Sequence, residues 1–139
     1  MKLITFIGAG TFILLSAFVI KNENNTGAKS LYDKKWMLRK IHTDSGVHEL
    51  VTKAFIKFNL ETKSAGGNGS CNTFGSSFSI TNNNISFKNI FSTKMYCEGV
   101  QDTEDSFFKQ LGKVNRFKLK DKNLVFYHGD DILLEFQSE

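Results

Sequence analysis

Residues 3–20, LITFIGAGTFILLSAFVI, carry no charge and no polar stripe, and the run ends abruptly at Lys21-Asn22-Glu23-Asn24-Asn25. A core helix keeps one polar face for solvent, so this run reads instead as a secretory signal or a short membrane anchor. Residues 22–35 follow as a polar linker. From Trp36 onward the pattern takes the two-residue period of half-buried strands. Residues 36–41 predict a first strand with Trp36 and Leu38 on one face, and Thr43-Asp44-Ser45-Gly46 supplies turn chemistry after it. In residues 54–59 the alternation turns Ala54, Ile56 and Phe58 inward. Residues 64–70 are poor in side chains and predict a bend, a bulge or the close approach of another backbone. Residues 77–80 and 85–87 flank Thr81-Asn82-Asn83-Asn84, a predicted hairpin, because Asn tolerates left-handed conformations.

The period changes at Asp102-Thr103-Glu104-Asp105, where acidic residues suit the first turn of a helix. Phe107, Phe108, Leu111 and Val114 then fall on one helical face. Strands are predicted again over residues 116–120, 124–127 and 132–136. Strands before and after a lone helix define the expected fold class: α+β, a curved antiparallel β-sheet (a partial barrel) packed on one main α-helix. The expected organisation is residues 1–28 as signal peptide or N-terminal membrane anchor with linker, and residues 29–139 as one domain.

Composition adds an aromatic core. Of the 14 Phe, only Phe6, Phe12 and Phe18 precede the domain, which also holds the single Trp. The formal charge of +4 is too mild for nucleic acid, which leaves a denser basic footprint. On compartment the signals conflict. Lys21, Lys29, Lys34 and Lys35 follow the apolar run, which by the positive-inside rule favours a cytoplasmic domain. The two-residue leader and the two cysteines favour export to the periplasm or cell envelope, membrane-anchored or secreted. No Cys directly follows the run, so acylation at a lipoprotein box is excluded, and an uncleaved anchor is the preferred reading.

Cys71 and Cys97 are the strongest local signal. Two cysteines and no others in an exported domain are expected to pair, with two buried thiols or a redox or nucleophilic role as alternatives. His42, His48 and His128, with Asp44 or Glu49, show no zinc-like spacing and read as surface histidines. The stretch Gly75-Ser76-Ser77-Phe78-Ser79 fails the nucleophile-elbow pattern at its last position, and Gly67-Asn68-Gly69 lacks the rest of a phosphate-binding loop. Arg116, Lys118, Lys120 and Lys122 alternate with Phe117 and Leu119 as a solvated strand face does, the alternative being a site for anionic lipid or polysaccharide. Phe55, Phe74, Phe91 and Tyr96 are core residues or line an open groove.

Three landmarks resemble the META/HslJ family. Residues 67–78, GNGSCNTFGSSF, are similar to its G-x-x-G-C-N-x-x-x-G-x-Y pattern, carried by Gly67, Gly69, Cys71, Asn72, Phe74 and Phe78. Residues 92–97, STKMYC, are similar to its S-T-x-M-x-C, carried by Thr93, Met95 and Cys97. The frame is Trp36 and Leu38 at the start, a helix bearing Glu104, Phe107 and Phe108, and Leu134 and Phe136 at the close. Ser70 and Ser76 stand at usual Gly positions and Phe78 replaces a Tyr. The resemblance implies an α+β domain common in bacterial envelope lipoproteins, an association with heat shock or envelope stress, and no established enzyme activity.

The expected function is therefore a non-enzymatic bacterial envelope domain that binds a partner protein or an apolar ligand in stress protection. It needs no cofactor or metal, and its membrane contact runs through the N-terminal segment. A thiol-dependent enzyme acting through Cys71 or Cys97 is one alternative. A peptidase-inhibitor-like protein presenting the loop of residues 66–74 is another.

Overall fold

A computed structural model describes residues 26–32 and 34–139, with side chains from Lys29 onward. The apolar run at residues 3–20, with its expected role as signal or anchor, lies outside the described residues.

Two helices and nine strands follow one another as α1 (Thr26–Tyr32), β1 (Trp36–Thr43), β2 (Gly46–Glu49), β3 (Phe55–Asn59), β4 (Ser64–Asn68), β5 (Thr73–Thr81), β6 (Asn84–Ser92), α2 (Gln101–Leu111), β7 (Arg116–Lys120), β8 (Asn123–His128) and β9 (Asp131–Ser138). Strands β3 to β9 are neighbours in chain order, and every pairing is antiparallel. β1 pairs with β3 at one end and with β9 along most of its length, so the sheet closes into a ring. β2 takes the remaining stretch of the edge of β1 that β3 occupies, in register Lys40↔Glu49 to Thr43↔Gly46. The seam is β6 against β7, paired only at Asn84↔Arg116.

Register explains which residues enter the core. Trp36 and Leu38 face inward by simple alternation, but Ile41 rather than Lys40 continues the inner face. A register shift against β9 between Leu38 and Lys40 inserts the extra residue that makes this possible. The ring interior is filled by rings in edge and tilted contact: Phe126 lies 5.3 Å from Phe136 and 5.4 Å from Phe87, and Phe58 lies 5.3 Å from Phe78. Phe107 of α2 lies 5.5 Å from Phe74 of β5 and 6.1 Å from Phe136 of β9. The helix therefore lies across the ring, and Gln110 fixes its far end by donating from Nε2 to the His42 carbonyl of β1. Phe107, Leu111 and Val114 are buried and Phe108 packs on the same core, as the helical spacing predicts.

Three elements depart from the sequence expectation. The stretch read as a polar linker contains α1, a helix too short to stand alone. Its Leu31 is fully buried, and the Leu31 carbonyl, left orphaned at the helix end, accepts the Trp36 indole N–H at 3.0 Å. β2 is exposed at every position and carries no burial pattern to announce it. β4 is a strand rather than a bend or bulge, although its small residues do admit neighbouring backbones. A Cβ on Gly66 would stand 2.7 Å from the Phe74 carbonyl oxygen, and one on Gly67 would collide with that of Phe55.

Candidate functional site

The cysteine motif occupies the turn between β4 and β5. Asn68 Oδ1 accepts the Ser70 N–H at 2.8 Å, and the Gly69 N–H closes the turn on the Asn72 carbonyl at 2.8 Å. Ser70 carries φ 103°, a left-handed value that suits the Gly usual at this position in the family pattern. Its hydroxyl hydrogen-bonds that of Thr52, which ties the turn to the segment before β3.

Folded this way, the turn presents two successive N–H groups to one carboxylate. Glu104 of α2 accepts the Cys71 N–H at 2.9 Å and the Asn72 N–H at 2.6 Å on Oε2, and the Asn72 side-chain amide on Oε1. Glu104 and Asn72 are each only 2 % exposed. Burial pushes the Glu104 pKa up, but the bonds from Asn72 and Cys71 and the charge of Lys94 outweigh it and hold the carboxyl below its ordinary value. Asn72 completes the network on its other side. Its Oδ1 accepts the Thr93 hydroxyl and the Met95 N–H, both at 2.8 Å, and its Nδ2 also donates to the Met95 carbonyl at 2.9 Å. Each motif thus meets the other through one side chain.

The Cys71–Cys97 disulfide joins the same segments, with its Cα atoms 5.8 Å apart. Gly69 is required by proximity, since a Cβ there would lie 2.6 Å from Phe108 Cζ and 2.8 Å from Glu104 Oε2. Phe74 and Phe78 belong to the core, and Phe78 lies within it where the family pattern has Tyr. Gly67 belongs to the backbone contact with β3. The sequence reading names Glu104 as a first-turn acid of the helix and as part of the family frame, but gives it no partner.

The remaining candidates scatter or serve structure. His42, His48 and His128 line two adjoining polar clefts, of about 670 and 310 Å³, that share Thr43, Asp44, Gln110 and Lys113. Their ring nitrogens face different groups: His42 lies 3.5 Å from Glu135 without a hydrogen bond, His48 meets the Thr43 hydroxyl at 3.3 Å, and His128 the Lys113 carbonyl at 2.8 Å. Glu49 turns instead to Lys40, at 3.4 Å. Among the described residues no group of three or more His, Cys, Asp or Glu is placed to hold a metal ion. Ser77 donates its hydroxyl to the Lys88 carbonyl at 3.1 Å, and Ser76 is buried in the sheet. Of the four aromatic candidates, Phe74 is core, Phe55 is half-buried, and Phe91 and Tyr96 are exposed. The Phe91 ring covers Gly75, where a Cβ would stand 2.6 Å from it.

A ring-closed antiparallel sheet crossed by a helix, with its cysteine turn clamped to that helix by a buried carboxylate, defines a small disulfide-bonded α+β domain. The META domain model matches residues 29–139, and the chain belongs to the META domain family. Among solved structures it is similar to a protein from Burkholderia xenovorans determined by NMR, with TM-score 0.68 and 17 % identity over 81 % of this chain and 86 % of that one. A second NMR structure is similar with TM-score 0.59 and 16 % identity, over 78 % of this chain and 92 % of that one. At such identity the likeness is one of fold. No curated protein matches the chain in sequence.

Proposed function

We propose that the chain is a non-enzymatic, exported envelope domain that docks a partner protein through residues 91–96. The carrying observation is that this segment holds Phe91, Met95 and Tyr96 at 69, 60 and 78 % exposure while its backbone is fixed from behind by Asn72. Aromatic residues and Met are enriched at interface cores, and a segment held in place beforehand loses little freedom on binding. The ring interior is filled by aromatic side chains, which favours a partner protein over an apolar ligand inside the sheet.

The alternatives fit less well. Both cysteines are held in one disulfide, which leaves no thiolate for an enzyme. The loop of residues 66–74 is used in β4, the turn and β5, with Asn72 and Phe74 buried, so it is not presented as an inhibitory loop. A role in envelope stress protection rests on the family resemblance, and export rests on residues 3–20 together with the disulfide.

Affinity capture of the full chain from its native envelope, compared with Phe91→Ser/Tyr96→Ser, tests the docking segment. A protein retained by the parent and lost by the variant at unchanged unfolding midpoint is expected. An identical captured set overturns the segment. Export is tested by a periplasm-only reporter fused after Glu139, which is expected to be active; activity of a cytoplasm-only reporter instead overturns it.

A further inference from the structure

The alternating basic residues of β7 take no part in the network around Glu104. Phe117 points into the core, so Arg116, Lys118 and Lys120 share the outer face. Outward residues of a strand repeat at about 6.6 Å, and Lys122 extends the series into the following turn. Across on β8 stand Tyr127, Val125 and Asn123, none of them acidic.

The contrast with Lys40 is informative, since Lys40 lies 3.4 Å from both Glu49 and Glu135. Among the ion pairs of the described residues none engages Lys118, Lys120 or Lys122, and Arg116 meets only the exposed Asp130, at 3.6 Å. Asp121, in the same turn as Lys122, is the one acid within the series. Arg116 is oriented: its guanidinium lies 4.4 Å from the Tyr127 ring centre and its Nε donates to the Gly129 carbonyl at 3.0 Å. Lys118 lies 5.8 Å from the same ring.

Among the described residues β6 pairs with β7 only at Asn84↔Arg116, so the rest of this edge of β7 has no strand partner. The Phe117 N–H donates to the Asn83 carbonyl at 2.9 Å, at the tip of the β5–β6 hairpin. Backbone groups alternate sides along an antiparallel strand, so the Leu119 N–H points to that same side, beyond the tip. It stands between Lys118 and Lys120, a neutral donor between two cations.

We propose that this outer edge of β7 binds a linear anionic glycan carrying a phosphate or a carboxylate on its repeat. Successive lysines without an ion pair among the described residues, with a backbone donor between two of them, suit a chain of regularly spaced anions. The Tyr127 face is taken by Arg116, which leaves no free ring on which nucleic-acid bases could stack. Tyr127 and Val125 are half-buried, so no apolar side chain projects for insertion into a bilayer. Lysines on an open edge also discourage strand mispairing, but that effect needs no polymer and leaves no binding to measure.

The test titrates the full chain with labelled polygalacturonate and with a labelled linear sugar-phosphate polysaccharide, read by fluorescence anisotropy at several salt concentrations. Binding of at least one polymer is expected, with a log–log salt slope of about −2 for three neutralised charges. Lys118→Glu/Lys120→Glu/Lys122→Glu is expected to weaken binding by at least about tenfold, and Lys53→Glu/Lys57→Glu/Lys88→Glu, an equal charge change elsewhere, by less than about twofold. All six lysines are exposed, so both variants are expected to unfold at the parent's midpoint. The site is overturned if neither polymer binds or if both variants lose affinity alike. It is equally overturned if single-stranded oligonucleotide or phosphatidylglycerol vesicles bind more tightly through the same lysines.

Discussion

Glu104 takes the Asn72 backbone N–H at 2.6 Å from a position 32 residues further along the chain. That contact joins helix α2 to the cysteine turn, and Asn72 passes the connection on to Met95. A carboxylate so deeply buried is tolerated because three donors replace its lost water. Gly69, Cys71, Asn72, Thr93, Met95 and Cys97 of the family pattern thus assemble one structural joint.

Glu104→Gln is the sharpest probe of that joint. The amide keeps the shape but turns one oxygen into a donor that faces donors, leaving at least one buried N–H unmet. The expected cost is about 2–4 kcal/mol, from the loss of charge-assisted bonds and the unpaired group. It is read from the shift of the urea midpoint at unchanged slope. A midpoint within about 0.5 kcal/mol of the parent, the range of ordinary surface substitutions, contradicts the role assigned to Glu104.

The same carboxylate sets an acid limit. Its folded pKa lies below its ordinary value, so its contribution is complete above the unfolded pKa and is lost as pH falls through the folded one. Unfolding midpoints measured from neutral pH down to about pH 3 should fall more steeply for the parent than for Glu104→Gln. Asn72→Asp reverses the sign, because it sets a second carboxylate against Glu104 that is relieved when one of them is protonated. That variant should regain stability relative to the parent on acidification, and parallel curves for all three proteins would refute the assignment.

Legibility in the sequence followed burial. Phe107, Leu111 and Val114 were readable because a helix crossing a ring buries one stripe, and the strands at residues 54–59 and 116–120 because one face alone is buried. β2 left no trace, since its four residues are exposed and held only by pairing with β1. α1 was hidden because its anchoring is tertiary, through Leu31 and Trp36. The motif residues could be named but not connected: the partner of Asn72 lies on a helix whose acidic first turn has an ordinary explanation of its own. The exposure of Phe91 beside the burial of Phe87 follows from the register shift in β5–β6, which residue types alone do not show.

The glycines of the motif separate backbone contact from side-chain contact. A Cβ on Gly67 meets the carbonyl of Phe55, which can yield only if β3 and β4 part, whereas one on Gly69 meets the ends of Phe108 and Glu104. Gly67→Ala is expected to cost about 3 kcal/mol or more, and Gly69→Ala about 1–3 kcal/mol with loss of part of the Glu104 acid dependence. Gly99→Ala, at φ 81° with nothing within 4 Å, supplies the control for backbone strain alone, at about 1–2 kcal/mol. Thermal unfolding of the three variants gives the order. Equal losses would refute the contact argument at Gly67 and Gly69, neither of which has a positive φ.

The Cys71–Cys97 bond closes a loop of separation 26, for which the chain-entropy model gives about 3–4 kcal/mol. That is a large part of the roughly 5–15 kcal/mol that holds a domain of this size. Yet the loop is closed a second time, because Asn72 binds Met95 two residues before Cys97. Each closure lowers the entropy that the other must overcome, so their effects should couple. Cys71→Ser/Cys97→Ser is expected to destabilise the domain while leaving it folded. Adding Asn72→Ala should bring the total loss to less than the sum of the two separate losses, by an interaction energy on the order of 1 kcal/mol. Both cysteines are partly exposed, so an alkylating reagent can approach them in the folded protein once the bond is reduced. Mass spectrometry of the unreduced chain should therefore find no alkylation, and two modified cysteines after reductant. Two alkylated thiols before any reductant would sink the pairing, and with it one of the two supports for an oxidising compartment.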